Sequence, residues 1–274
     1  MIKVAVCGAC GRMGRRIIRT VAKQRDMKIV AAIDAPMTPS AGQDAGEIAG
    51  IGKLGIQVVG AEKLGETLKQ TEPDVLVDFT VADAAVKNVK AAAEAGVAVV
   101  VGTTGFSDEQ KKELEKIVKK SNISAIITPN LSVGVNIIFK LAEEVGRLLK
   151  DYDIELIETH HRRKLDAPSG TALRLAQIVA EASGRDPEKV VRFGRPRGKL
   201  GKRSPEEIAI HSIRAGDIAG EHVLIFAGAS EQLELIHRAQ SRQAFANGAI
   251  KAIRYVATKG KPGKIESMQD VLGL

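Results

Sequence analysis

Lys3-Val4-Ala5-Val6-Cys7-Gly8-Ala9-Cys10-Gly11-Arg12-Met13-Gly14 is the stretch on which the fold turns. An apolar run over residues 3–7 ends on a glycine turn, and a helical pattern over 13–23 begins inside that turn. Buried strands of parallel sheets read as continuous apolar runs, and passing from one parallel strand to the next takes a crossover, usually a helix. Glycines at the junction permit a tight turn and let backbone amides approach a pyrophosphate. The helix N-terminus adds unpaired N–H donors and the positive end of its dipole. The usual dinucleotide spacing is G-x-G-x-x-G; here Ala9 stands at the first glycine position and Gly8 one residue earlier. A plain strand-to-helix connection uses similar residues, so context has to decide. Asp34 lies twenty residues after Gly14, at the end of the next strand candidate, 28–33. A carboxylate there accepts from both ribose hydroxyls of an adenosine. Its charge repels a 2′-phosphate and Ala35 offers no compensation, while Arg12, with Arg15 or Arg16, can reach such a phosphate from the turn. NADH is therefore the expected cofactor, with NADPH left open.

Outward from this turn the same rhythm recurs. Strand candidates 75–79, 98–101 and 124–128 alternate with helical patterns at 82–95 and 108–120. That alternation predicts an α/β domain, a parallel sheet covered on both faces. Ser107-Asp108-Glu109-Gln110 reads as a helix start with acidic residues in its first turn. Asp78-Phe79-Thr80 and Gly102-Thr103-Thr104-Gly105-Phe106 follow strands at the carboxyl edge, where such sheets bind ligands; ordinary turn chemistry accounts for the same residues. Residues 34–60, rich in Gly, Ala and Pro, break the pattern and predict a surface excursion. After Asn130 the rhythm changes: a helix near 135–150, a strand over 153–159, a loop, a helix near 171–183, then strands over 208–214, 222–226 and 232–237. This predicts a second, α+β domain over 132–240. The basic, glycine-rich segment 192–202 reads as an exposed loop. A last helix near 241–258 is expected to return to the first domain, which then comprises 1–131 and 241–274.

Composition narrows the class. A chain of 274 residues divides more naturally into two domains than one. The apolar run at 97–101 is far too short to cross a bilayer, and the N-terminus shows no secretory leader. A cytoplasmic protein without a membrane partner is expected. The net charge of +8 fits a nucleic acid, an anionic substrate or a solvated basic surface. With no Trp and only two Tyr there is no stacking platform for single strands, which argues against nucleic acid. Cys7 and Cys10 form a C-x-x-C, readable as a redox pair or half a zinc site; no third Cys completes the latter, and packing in the turn is the simpler role.

Chemistry concentrates in Glu158-Thr159-His160-His161-Arg162-Arg163-Lys164-Leu165-Asp166-Ala167-Pro168-Ser169-Gly170-Thr171-Ala172. Ser169 and Thr171 stand where a loop becomes a helix, placed either to cap it or to bind a carboxylate. Neighbours on an extended chain point in opposite directions, so His160 and His161 are not equivalent; one can supply a proton while the other holds substrate. Lys164 adds charge and a second proton donor. Hydride addition to a C=N system leaves electron density to be protonated, a task suited to His or Lys. Metal binding is the competing reading, but adjacent histidines chelate poorly without a third ligand and no such motif is present, so no metal is expected.

His160 to Ala172 resembles the H-H-x-x-K-x-D-x-P-S-G-T-A signature of the 4-hydroxy-tetrahydrodipicolinate reductases, the dihydrodipicolinate reductase family. Supporting matches in the same order are Gly11-Arg12-Met13-Gly14, Gly102 to Phe106, Asn130-Leu131-Ser132-Val133-Gly134-Val135-Asn136, Arg214-Ala215-Gly216-Asp217 and Ser241 to Gly248, so the resemblance covers essentially the whole chain. It implies a Rossmann-type parallel-sheet nucleotide domain plus an α+β substrate-binding and oligomerisation domain, assembled as a homotetramer. It implies His160 as catalytic acid/base and Lys164 as proton donor, with His161, Ser169, Gly170 and Thr171 holding the carboxylates of a small cyclic dicarboxylate. Cofactor contacts are implied at Gly8, Gly11, Arg12, Met13, Gly14, Asp34, Gly102, Thr104, Asn130 and Phe245. Some members carry Arg after the acidic ribose ligand; Ala35 departs from that pattern. Two rivals remain from the residues alone: another small-substrate dehydrogenase sharing the nucleotide domain, and a nucleotide-sensing regulator of nucleic acid.

Overall fold

The computed structural model describes all 274 residues and resolves into two compact units, Met1–Val133 with Phe245–Gly273, and Gly134–Ala244 with the terminal Leu274. In chain order the first unit begins with β1 (Ile2–Cys7), α1 (Arg12–Val21), β2 (Met27–Asp34), α2 (Ala45–Ala49) and β3 (Val58–Gly60). It continues through α3 (Leu64–Thr71), β4 (Val75–Asp78), α4 (Ala82–Glu94), β5 (Ala98–Val101), α5 (Asp108–Ser121) and β6 (Ala125–Ile127). Helix α6 (Val133–Leu148) opens the second unit, followed by β7 (Asp153–His160), α7 (Gly170–Ala182), α8 (Pro187–Val190), β8 (Val191–Phe193), β9 (Ile208–Arg214), β10 (Glu221–Ala227) and β11 (Gln232–Arg238). The chain closes with α9 (Gln243–Thr258), β12 (Ile265–Glu266) and α10 (Met268–Leu272).

The first unit is a seven-stranded sheet in the order β12-β6-β5-β4-β1-β2-β3, parallel at every pairing. Alternation along β1 shows why both faces are dry. Val4 and Val6 pack with Ile17, Ile18 and Val21 of α1 and Ile250 and Ile253 of α9. Ala5 and Cys7 face the opposite way, toward Leu68 of α3, Val89 of α4 and Leu114 of α5. Helix α5 starts as its sequence predicts, with a reciprocal capping box between Ser107 and Gln110 and Asp108 and Glu109 in the first turn. The returning last helix packs on this sheet, and Gly248 is required there: a Cβ would lie 1.7 Å from the Leu131 carbonyl oxygen.

The expected excursion over 34–60 is more ordered than its composition suggests, since it contains α2 and β3. One carboxylate organises it. Asp44 caps α2 by accepting from the amides of Gly46 and Glu47, and it also accepts from those of Leu54 and Gly55 at 3.0 and 2.7 Å. Elements of five and three residues are shorter than the periodicity that would betray them. The segment 192–202 likewise starts as strand, because β8 pairs with β9 before the chain leaves the sheet.

The second unit is a five-stranded mixed sheet in the order β11-β10-β7-β9-β8; β10 runs antiparallel to β7 and β11, and β7 parallel to β9. Ile154 and Leu156 of β7, Ile208 and Ile210 of β9, and Leu224 and Phe226 of β10 are buried against Leu175 and Val179 of α7 and Ile138 of α6. Continuing that face along β7 leads not to further aliphatic residues but to Glu158 and His160, and along β10 to His222. The apolar face of the sheet becomes polar at one end.

Candidate active site

In the first unit the glycine turn has the geometry of a phosphate cradle. Gly8 has φ +76°, and a Cβ there would meet the Phe79 carbonyl oxygen at 2.8 Å; at Gly14 it would stand 2.0 Å from the Gly8 oxygen. Only glycine closes this turn. Gly11 is the N-cap of α1 and offers no side-chain acceptor, and the first turn carries no acidic residue. Its amides are thus left for an external anion, with Arg12 and Arg15 exposed nearby. Asp34 ends β2 beside the turn, accepting from the Cys10 amide at 2.6 Å and the Ala35 amide at 2.8 Å. Two bonds leave lone pairs on both oxygens for sugar hydroxyls. A cleft of about 340 Å³ opens at this carboxyl edge of the sheet, lined among others by Gly8, Gly11, Asp34, Pro36, Phe79 and Thr80.

Asp78, fully buried at the end of β4, fixes the neighbouring turns. It accepts from the Thr80 amide and hydroxyl at 3.0 and 2.8 Å, the Asn88 amide group at 2.7 Å and the Thr103 hydroxyl at 2.8 Å. The turns after β4 and β5 are thereby locked together, and Gly102 has room for no side chain beside the Phe79 ring. Arg12, Met13 and Gly14 form the first turn of α1, while Thr104, Asn130 and Phe245 lie outside the cleft lining. Burial pushes the Cys7 thiol well above its ordinary pKa and raises that of Cys10 too, the reverse of what a reactive redox pair needs.

In the second unit the centre is Glu158, a residue the sequence reading quoted without giving it a role. It is fully buried. Its Oε1 accepts from Arg214 Nη2 at 2.7 Å and the Ser169 amide at 3.2 Å; its Oε2 accepts from Arg214 Nη1 at 2.9 Å and lies 2.5 Å from His160 Nδ1. Burial alone would raise this carboxyl, but the arginine fork, His160 and the Ser212 hydroxyl overcome it and hold the pKa at about 2. His160 is pulled below its ordinary value by burial, with Glu158 opposing and Lys164 and Arg214 reinforcing.

Ser169 is the N-cap of α7, its hydroxyl accepting from the Ala172 amide at 3.1 Å, and the same oxygen lies 2.9 Å from His222 Nε2. His222 is held neutral, its pKa pushed by burial to about 3, and its ring meets His160 edge-on at 5.3 Å. Lys164 bonds to both oxygens of Asp166 at 2.8 and 2.9 Å. His161 keeps its Nδ1 buried without a partner. Gly170 and Thr171 open α7, whose first turn has no acidic residue. The structure thus gathers His160, Lys164, Ser169 and the α7 N-terminus, and adds Glu158, Arg214 and His222. A signal for two of these was present: Glu158 and His222 fall in phase with Ile154, Leu156, Leu224 and Phe226, where polar residues are out of place.

Two family profiles cover the chain: one described as “Dihydrodipicolinate reductase, N-terminus” matches residues 2–131, and one described as “Dihydrodipicolinate reductase, C-terminus” matches residues 134–272. A 4-hydroxy-tetrahydrodipicolinate reductase of Methanocaldococcus jannaschii is 56% identical over 274 residues, covering all of this chain and 98% of its own. The protein of the same name from Methanothermobacter thermautotrophicus is 52% identical over the whole of both chains. Among solved structures, the dipicolinate-bound dihydrodipicolinate reductase from Paenisporosarcina sp. TG-14 superposes with a TM-score of 0.78 at 27% identity, covering 98% of each chain. With both halves of one family matched in order and full-length relatives at this identity, the chain belongs to the dihydrodipicolinate reductase family.

Proposed function

We infer that this protein reduces 4-hydroxy-tetrahydrodipicolinate to tetrahydrodipicolinate with NADH or NADPH, a step of lysine and diaminopimelate biosynthesis. The observation that carries the reading is the polar end of the second sheet: a buried Glu158–His160 pair beside Lys164 and the start of α7. Over the whole reaction the 4-hydroxyl leaves as water together with one hydrogen of the ring, and the ring gains one hydride and one proton. A bound nicotinamide supplies the hydride. The residues present suit a dinucleotide: Gly8, Gly11 and the first turn of α1 (Arg12, Met13, Gly14) for the pyrophosphate, Asp34 for the adenosine ribose, and the rigid turns at Gly102 and Thr104 with Asn130 and Phe245 for the remainder.

His160 is assigned as the acid/base. Its Nδ1 is engaged by Glu158, so its Nε2 is the atom that gives or takes the proton. Lys164 is assigned as a second proton donor, held ready by Asp166. His161 and the N-terminal residues of α7, Ser169, Gly170 and Thr171, are assigned to the substrate carboxylates, favoured there by the helix dipole and the surrounding cations. We place the enzyme in the cytoplasm as a homotetramer. Supporting the assembly, the sheet face opposite α6 and α7 leaves Ile213 46% and Ile236 44% exposed beside half-buried Ile157, Val223 and Ile225.

The test is NADH oxidation, followed by the absorbance of reduced nicotinamide, with substrate generated in place from pyruvate and aspartate semialdehyde by the preceding synthase. Turnover requiring both precursors, and reduced on the order of 100-fold in His160→Gln and Lys164→Ala, is expected. Near-normal turnover of both variants would remove the proton-transfer assignment.

A further inference from the structure

We propose that Glu158 is the positioning residue of the proton-transfer step: it fixes His160 as the tautomer protonated on Nδ1 and so makes Nε2 the nitrogen that faces substrate. The proposal rests on the assignment of proton transfer to His160. Glu158 occupies a core position of β7, in phase with Ile154 and Leu156, and is 0% exposed. A carboxylate persists there only if its charge and lone pairs are matched. Arg214 supplies a two-pronged match at 2.7 and 2.9 Å. Yet Oε2 also takes His160 Nδ1 at 2.5 Å. An ionised carboxylate has no proton to give, so the imidazole is the donor at Nδ1, and Nε2 is left to exchange protons.

Two further observations point the same way. Gly220, with φ +155°, lies where a Cβ would come within 3.0 Å of His160 Nε2, so the backbone beside that nitrogen carries no side chain. Arg214 also donates to the Asp166 carbonyl oxygen at 2.7 Å, and the Ser169 amide donates to Glu158. One buried carboxylate therefore registers His160, the loop bearing Lys164 and the start of α7 against one another. The charged and titratable groups facing His160 are Glu158 from its own strand, Lys164 from the following loop, Arg214 from β9 and the neutral His222 from β10. Of these only Glu158 raises the His160 pKa, so neutralising it moves that pKa further down.

The test is a double-mutant cycle on the full-length enzyme. Glu158→Gln is expected to lower kcat on the order of 100-fold with KM changed far less, and to move the alkaline fall of the pH–rate profile to lower pH. In a His160→Gln background the same substitution is expected to cost about tenfold less than in the unmodified enzyme, because the chief group it positions is gone and only its links to Arg214 and the Ser169 amide remain. Multiplicative losses in the double variant, or an unmoved pH profile in Glu158→Gln, overturn the proposal. Full turnover of His160→Gln alone would instead sink the assignment on which it rests, a result readable without any change at Glu158. Should Glu158→Gln fail to fold, long-range proton–nitrogen spectra of histidine-labelled wild-type enzyme decide the matter. Hydrogen on His160 Nδ1 supports it, and hydrogen on Nε2 in the neutral ring refutes it.

Discussion

Arg214→Met removes both guanidinium bonds to Glu158 while keeping much of the side chain's length, and its effect should depend on pH in a direction opposite to the usual one. In the unmodified protein Glu158 has a folded-state pKa of about 2 against an ordinary 4.5. A depressed folded-state pKa contributes stability that is complete above about 4.5 and lost as pH falls through about 2; the gap corresponds to about 3 kcal/mol. Between neutral pH and about 4.5, then, this group leaves the unmodified protein's stability flat. Without Arg214 the carboxylate is stranded in a site with no solvent exposure, and breaking a buried pair in this way costs about 3–5 kcal/mol. For a unit the size of Gly134–Ala244 that lowers Tm at neutral pH by on the order of 10 °C.

Desolvation now dominates, so the folded-state pKa of the stranded carboxyl lies above its unfolded value. Stability from that source is fully present below about 4.5 and is lost as pH rises through the raised pKa. The Tm gap between the two proteins should therefore be widest at neutral pH and narrow on acidification toward about 4.5. Uptake of the proton by His160 rather than Glu158 narrows it equally, since either neutralises the pair. Thermal melts followed by far-UV ellipticity at a series of pH values measure this. Groups elsewhere titrate alike in both proteins and cancel in the difference. A gap that stays constant over the range would show that Glu158 carries no buried charge needing Arg214, and the account of the site would fail with it.

Asp34→Asn keeps an acceptor for the Cys10 amide but removes the charge that repels a 2′-phosphate; the ratio of kcat/KM for NADPH to that for NADH should rise about tenfold, and an unchanged ratio would take Asp34 away from the adenosine. Gly14→Ala puts a Cβ 2.0 Å from a backbone oxygen and should weaken NADH binding at least about tenfold in fluorescence titration, whereas tight binding by a folded variant would mean the turn is not the cradle. Glu155→Gln should speed tryptic cleavage within 195–203 while leaving the pH–rate profile in place, because Glu155 anchors that segment through Arg195 and Arg203 and does not touch His160. A shifted profile would join the two networks that the structure keeps apart.

Much of the first unit was legible because its signals are redundant. The run Val4-Ala5-Val6-Cys7, the glycine turn and Asp34 each admit another reading, but only one fold uses all three in that order. Helix α5 announced itself through a capping box, a local interaction written in four adjacent residues. What escaped was organised by single side chains acting at a distance. Asp44 builds the 44–55 segment by reaching amides eleven residues on, and Asp78 ties Thr80 to Thr103 across the α4 crossover. The signature from His160 to Ala172 is plain in the sequence, yet the acid at the centre of the site stands two residues ahead of it. Glu158 is bound by Arg214, fifty-six residues later, and nothing in the linear sequence sets those two side by side. Only the β7–β9 pairing, Glu158 opposite Ser212 and His160 opposite Arg214, does so.

Glu155 and Glu158 show why an altered pKa does not by itself mark a site. They lie three residues apart on β7, on opposite faces of one sheet, and both are held at about 2. In each, burial opposes the shift and arginine and histidine partners impose it. Glu155 is 21% exposed and meets Arg195, Arg203 and His211, so its charge fastens a basic loop to the sheet and stays in contact with solvent. Glu158 has no exposure, and its partners are the His160 ring nitrogen, a backbone amide at a helix start and one arginine. Water can replace the first set at little cost; nothing can replace the second. Burial converts the Glu158 carboxylate from an anchor into a constraint on which nitrogen of His160 holds its hydrogen. That difference in surroundings, more than the shared titration, separates the glutamate that secures the fold from the one that serves the chemistry.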